Sequence, residues 1–145
     1  MGKLLIEAVR AGELEKVRSL FEKKWYRKTA DPNETDQWGC TALHYACETR
    51  NEAVIRLLME SGADVDAVNR FQHRPIHNAA RTGSVEALRL LIEAGADLKA
   101  VEDHGYTPLH WARREGRDDA AELLLRHGAD PEARCREGKT PAELA

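Results

Sequence analysis

One stretch of this chain returns three times at an unvarying interval, and that interval constrains the fold more than any local preference. Thr41-Ala42-Leu43-His44-Tyr45-Ala46, Arg74-Pro75-Ile76-His77-Asn78-Ala79, Thr107-Pro108-Leu109-His110-Trp111-Ala112 and Thr140-Pro141-Ala142-Glu143-Leu144-Ala145 each begin 33 residues after the one before. Gly62-Ala63-Asp64, Gly95-Ala96-Asp97 and Gly128-Ala129-Asp130 keep the same step. Self-similarity at this period belongs to chains whose units stack in a row, each contacting its neighbours, rather than to a globule around one centre.

Each unit reads as a turn, a short helix, a tight loop, a longer helix and a hairpin into the next. Asp36 and Gly39 shape the turn, Thr41 and Thr107 are N-cap candidates, and Pro75, Pro108 and Pro141 fall in a first helical turn, where a missing N–H costs little. Gly83 and Gly116 suit the positive φ of a tight helix-to-helix loop. Leu43, Ala46, Cys47, Val54, Ile55, Leu57, Leu58 and Met59 give one unit an apolar face that it cannot bury alone. The register returns as Ile76, Ala79, Ala80, Leu88, Leu90, Leu91 and Ile92, then as Leu109, Ala112, Ala121, Leu123, Leu124 and Leu125. Stacking is what covers these faces, so stability is shared between units.

With its T-P-L-H-x-A and G-A-D strings at a 33-residue step, the chain resembles the ankyrin-repeat family. The expected fold is all-α, a solenoid of stacked helix-turn-helix units with β-hairpin loops. Residues 1–35 read as an N-terminal capping repeat with an extended loop, 36–68, 69–101 and 102–134 as full repeats, and 135–145 as a truncated repeat. The stop inside a first helix predicts a fragment of something longer, or an end covered by association, with a fraying last turn. Segment 23–28, Lys23-Lys24-Trp25-Tyr26-Arg27-Lys28, reads as an extended second helix or a bulged loop. Two readings stand for it: contact with a partner or phosphate, or Trp25 as a lid over an exposed apolar end.

Composition narrows the function classes. No apolar run approaches the roughly 20 residues that span a bilayer, and charge follows Met1 too soon for a signal peptide. Ile6 stands where a myristoylation signal wants Ser or Thr. Three irregularly spaced cysteines argue against a disulfide framework and for a reducing compartment, cytoplasmic or nuclear. The net charge of −3 does not point to nucleic acid. It is unevenly spread: residues 36–68 carry 2 basic and 6 acidic side chains, residues 69–101 carry 5 and 3, and residues 102–134 carry 5 and 8. Charge therefore alternates from unit to unit.

The resemblance implies that hairpin tips and the inner faces of first helices form a concave strip that contacts partners. Carried over by position, the strip is Gln37, Trp38, Cys40, Tyr45, Glu48 and Thr49, then Arg70, Phe71, His73, Asn78, Arg81 and Thr82, then Asp103, His104, Tyr106, Trp111, Arg114 and Glu115. Five of the eight aromatic side chains, Trp38, Tyr45, Phe71, Tyr106 and Trp111, fall on these positions. Interface centres are enriched in aromatics and Arg, and the core columns are already filled by aliphatic residues. The expected partner-binding residues are Trp38, Cys40, Tyr45, Arg70, Phe71, His73, Asn78, Arg81, His104, Tyr106, Trp111 and Arg114. Trp38, Phe71, Tyr106 and Trp111 are the anchors among them. The partner is another protein offering an acidic or partly apolar segment. Membrane is excluded as a partner and nucleic acid disfavoured, because flanking acids dilute the basic surface.

No cofactor or metal is expected. His44, His77 and His110 occur once per unit and read as hydrogen-bonding members of a packed helix start, not as a compact zinc set; His127 suits a helix C-terminus. Two rival readings are an oligomerising module using the C-terminal edge and a thiol hydrolase in which Cys40, in the same column as His73 one unit on, is the nucleophile. Four positions depart from the pattern, two of them, Gln72 and Arg74, in the middle repeat. Gln72 replaces the turn glycine, Arg74 the capping Thr, Arg50 the loop glycine and Arg113 a small residue, and the loss of a positive-φ glycine costs on the order of 1 kcal/mol. The hairpin of the middle unit is accordingly expected to be the loosest.

Overall fold

Two helices can lie back to back only if the chain reverses within a few residues, and here a left-handed residue does this between every pair. Gly12 (φ 72°), Arg50 (φ 59°), Gly83 (φ 75°) and Gly116 (φ 68°) occupy the four equivalent positions. The computed structural model describes residues 2–22 and 29–145. Its helices come in pairs: α1 (Gly2–Arg10) with α2 (Leu14–Phe21), α3 (Ala42–Thr49) with α4 (Glu52–Glu60), α5 (Pro75–Thr82) with α6 (Val85–Glu93), and α7 (Pro108–Arg114) with α8 (Asp118–Arg126). A short 3₁₀ turn, Pro141–Leu144, follows. Segment 23–28, with the two readings given for it, lies outside the described residues.

First helices pack in one row, α1 on α3 on α5 on α7, and second helices in another, α2 on α4 on α6 on α8. Between the rows runs one continuous core. Leu5, Leu43, Ile55, Leu58, Ile76, Leu88, Leu91, Leu109 and Leu124 are fully buried in it, each contributing about 1.5–3 kcal/mol by leaving water. Ala46, Ala79 and Ala112 have no exposed surface, so their small size sets how closely neighbouring first helices approach.

Helix starts follow the sequence closely. Asn51 Oδ1 accepts from Val54 N (3.2 Å), Ser84 Oγ from Ala87 N (3.3 Å) and Thr107 Oγ1 from His110 N (3.3 Å), each satisfying a donor that a helix end would leave free. Thr41 instead turns its hydroxyl to His44 Nδ1 (3.0 Å). Arg117, the residue before α8, offers no side-chain cap, but Asp118 and Asp119 complement the first turn of the helix.

Two of the repeated histidines, His44 and His110, are straps between units, and His77 ties down the last loop of its own unit. His44 Nδ1 accepts from Thr41 N and its Nε2 lies 3.0 Å from His73 O in the next hairpin. His77 accepts from Arg74 N and reaches Ala100 O at 3.0 Å, and His110 accepts from Thr107 N and reaches Lys139 O at 3.0 Å. With Nδ1 accepting a backbone N–H, the ring proton sits on Nε2, and each imidazole donates it to a later carbonyl. All three rings are fully buried.

Hairpins pair tip to tip rather than as long ladders. Arg70 N donates to Trp38 O (3.0 Å), Asp103 N to Phe71 O (3.2 Å) and Arg136 N to His104 O (3.0 Å). With rungs this sparse, the described residues contain no strand. Gln72 adopts the positive φ, 62°, that glycine has at the equivalent Gly39 and Gly105. The longest of the three rungs is the one made by its neighbour Phe71.

Candidate partner-binding surface

One column of polar side chains builds the hairpin tips. Asp36 Oδ1 accepts from Trp38 N (2.9 Å) and Cys40 N (3.0 Å), Asn69 Oδ1 from Phe71 N (2.9 Å) and His73 N (3.0 Å), and Glu102 Oε1 from His104 N (2.7 Å) and Tyr106 N (3.0 Å). A side-chain oxygen that takes two backbone donors fixes the turn, and with it the direction of the residue two places on. That residue is Trp38 in the first full unit, Phe71 in the second and His104 in the third.

Trp38 and Phe71 are the two large side chains so presented, 49% and 48% exposed, with ring centroids 6.2 Å apart in a stacked arrangement. Beside them opens a cleft of about 420 Å³, lined by Trp38, Cys40, His44, Tyr45, Glu48, Asn69, Phe71, His73, Asn78 and Arg81. Seven of the twelve residues expected at the surface, Trp38, Cys40, Tyr45, Phe71, His73, Asn78 and Arg81, meet there. A second cleft, about 490 Å³, lies between α1 and the first hairpin and includes Lys3, Glu7, Arg10, Asp36, Trp38 and Tyr45. Trp38 and Tyr45 thus form a wall common to both.

The cleft wall is ordered by hydrogen bonds. Arg81 Nη2 and Asn78 Nδ2 meet Glu48 Oε1 at 2.8 and 3.0 Å, so the acid of one unit is neutralised by the cation of the next. The Tyr45 hydroxyl donates to Asp36 Oδ2. Arg10 lies over the Tyr45 ring, 5.1 Å from its centroid.

Further along, the structure alters several expected roles. Tyr106 is 8% exposed and forms a floor instead of an exposed anchor: it stacks on His110 at 5.5 Å and meets Trp111 edge-on at 5.5 Å. Trp111 is half-buried, 5.8 Å from His73. Asn78 and Cys40 are buried, so they act as wall and not as protruding contacts. Asn78 Oδ1 and Trp111 Nε1 are buried without a hydrogen-bond partner among the described residues. Arg70, His104 and Arg114 are exposed, and Arg114 caps the aromatic floor, 5.3 Å from the Trp111 centroid and 5.7 Å from that of Tyr106.

Sequence reasoning missed Glu102. Its carboxylate is buried, and Oε2 lies 3.1 Å from His73 Nε2 and 3.0 Å from His104 Nδ1. The signal was present, since Glu102 stands 66 residues after Asp36 and 33 after Asn69. It missed Arg10 as well, because the longer first loop displaces the N-terminal unit from the 33-residue register.

Burial works against the charge of Glu102, yet hydrogen bonds from His104 and the hairpin N–H groups outweigh it and hold the carboxyl below its usual range. Asp36 has the same balance, with the Tyr45 hydroxyl and the Cys40 and Trp38 amides overcoming desolvation. Burial keeps His73 below the ordinary imidazole range despite Glu102 beside it, and it takes His77 down to about 4. The cleft is therefore neutral on its histidine side at physiological pH.

The Cys40 and His73 pair lacks the marks of an activated nucleophile. Burial pushes the Cys40 thiol up, the Asn69 amide lies 3.4 Å from its sulfur, and His73 Nε2 is directed to Glu102. A catalytic thiol needs the opposite shift. Among the described residues no cluster of His, Cys, Asp and Glu could hold a metal ion, and no helix is long and apolar enough to cross a membrane.

Similar proteins carry the same repeat. The chain is 43% identical over 56 residues to human ankyrin repeat domain-containing protein 39, a match covering 39% of the chain and 28% of that protein. It is 38% identical over 68 residues to palmitoyltransferase akr1 of Schizosaccharomyces pombe, and 36% identical over 64 residues to palmitoyltransferase Hip14 of Drosophila melanogaster. These matches cover 47% and 44% of the chain, but only 10% and 9% of the two relatives. A family model of ankyrin repeats in three copies matches residues 3–69 and 61–135. With the paired helices, the buried histidines and the stacked hairpins all in this register, the chain belongs to the ankyrin-repeat family.

Proposed function

We propose that this chain is a non-catalytic protein-interaction scaffold whose partner lies along the concave face, across the hairpin tips and the first-helix row. The observation that carries this reading is the stacked Trp38–Phe71 pair, half exposed at the mouth of a 420 Å³ cleft. Soluble surfaces have little reason to present two large aromatics in register, while interface centres concentrate aromatic and Arg side chains. Hairpins locked by Asp36, Asn69 and Glu102 hold the tips in place before binding, which reduces the entropy lost on association. The remaining expected residues supply the walls and rim. The transferase activity named for the fungal and fly relatives is not carried over, because the matches span a tenth or less of those proteins.

Capture of partners from a host lysate on the immobilised chain tests the reading, beside Trp38→Ala and Phe71→Ala. Both side chains are exposed, so helical circular dichroism should be unchanged while capture weakens. Retention of the same partners at undiminished strength by both variants would reject the concave face.

A further inference from the structure

The last turn of the first-helix row carries a column of charge. Arg10, Glu48, Arg81 and Arg114 each stand two residues before the loop position of positive φ, at Gly12, Arg50, Gly83 and Gly116. Contact within the column is direct at its centre, where Arg81 meets Glu48 at 2.8 Å. The two outer arginines have no carboxylate partner among the described residues. Each instead lies on an aromatic face, Arg10 over Tyr45 and Arg114 over Trp111 and Tyr106. Stacking holds a guanidinium's flat face and leaves its N–H edge free to grip a carboxylate.

Building on the concave-face reading above, we infer that the partner segment is an extended peptide with an acidic side chain at each end and an apolar one between them. Neighbouring helix axes stand about 8–10 Å apart. Three steps therefore separate Arg10 from Arg114 by about 27 Å, the reach of roughly eight residues of extended chain. Between the two cations the column is neutral, because Glu48 cancels Arg81, and there the cleft offers Trp38, Phe71 and His73 to an apolar group. The pattern is cation, apolar cleft, cation; its complement is acid, apolar residue, acid. Glu7 near Arg10 and Glu115 beside Arg114 compete for the same cations, but neither forms an ion pair with them. A nucleic-acid strand would bring a phosphate at every step, including the neutral centre, where nothing answers it.

The probe is a fluorescein-labelled nine-residue peptide with Glu at positions 1 and 9, Leu at 5 and Ser or Thr elsewhere, set against the same peptide with Gln at both ends. Anisotropy with the full chain should show the Glu peptide binding about tenfold tighter, as charge-assisted bonds at two sites predict, with the difference collapsing in 0.5 M salt. Arg10→Gln and Arg114→Gln should each weaken the Glu peptide several-fold and the Gln peptide much less, narrowing the gap between the two. Glu48→Gln, which frees Arg81, should tighten the Glu peptide, an effect that misfolding cannot mimic. Equal affinities for the two peptides, or no binding of either, overturn the doubly acidic partner; tighter binding of a nine-nucleotide oligothymidylate overturns it in favour of nucleic acid. The concave-face reading fails separately if Phe71→Ala alters neither peptide's affinity.

Discussion

Glu102 Oε2 lies 3.1 Å from His73 Nε2, so a buried carboxylate of the third repeat holds the hairpin of the second. The same oxygen meets His104 in its own hairpin at 3.0 Å, and Oε1 takes two backbone N–H groups. One side chain thereby fastens two adjacent tips. Asn69, one unit earlier, has a shorter reach and fastens its own tip alone, apart from its amide near Cys40.

Glu102→Gln should lower the pKa of His73 further, because the carboxylate is what opposes burial there. Stability should fall by about 1.5–3 kcal/mol, the range for hydrogen bonds to a charged group. Proton NMR titration of His73 and urea unfolding measure the two effects. An unchanged titration would remove the carboxylate from its role.

Acid should weaken the fold well before the carboxylates titrate. The unfolded chain protonates a histidine near pH 6.5, whereas folded His77 resists until about 4, so between those values the unfolded state binds more protons and stability falls with pH. The contribution is fully present above pH 6.5 and is lost toward pH 4, amounting to about 3 kcal/mol at most from this ring. His44 and His73 shift in the same direction. Below that window Asp36 and Glu102, both held low when folded, add to the loss. Urea midpoints at pH 7.5, 6 and 5 should descend in that order, and a flat series would contradict the buried neutral rings.

Gln72→Gly should stabilise the chain by about 1 kcal/mol, since only glycine adopts its φ of 62° without strain. The reverse change at the equivalent position, Gly105→Gln, should cost more than that gain. A Cβ there would sit 2.9 Å from Arg136 N, the donor of the next rung. Thermal unfolding of both variants should give shifts of opposite sign.

Leu91→Ala should cost about 2–5 kcal/mol, because this side chain is fully buried in the core between the helix rows. Its loss loosens both neighbours of the third helix pair. Hydrogen exchange should therefore accelerate in α4 and α8 as well as in α6; acceleration confined to α6 would mean that the units do not share their stability.

The register of Leu43, Ile76 and Leu109 and the placement of Pro75 and Pro108 could be read from spacing alone, because each depends on its own unit and the next. Positive φ at Gln72 and Arg50 was equally legible: glycine's absence at a glycine position does not change the turn that the neighbours impose. Tyr106 was not. Its column holds Cys40 and His73 in other units, and whether a ring there points out or lies flat depends on His110 and Trp111 packing against it. The same limit hid Arg10, whose partner Tyr45 lies across a loop of different length. Side chains whose surroundings come from one repeat follow the period, and those whose surroundings come from two depend on which residues happen to meet.

Because His44 and His110 each belong to an earlier unit and their acceptors, His73 and Lys139, to a later one, these straps have a direction along the stack. Peeling a unit from the N-terminal side removes a donor and leaves behind a carbonyl that water readily satisfies. Peeling from the other side leaves an imidazole N–H that has lost its acceptor. Loss of a terminal repeat therefore leaves a different chemical face at each end of the stack: a bare carbonyl where an early unit has gone, a bare imidazole donor where a late one has.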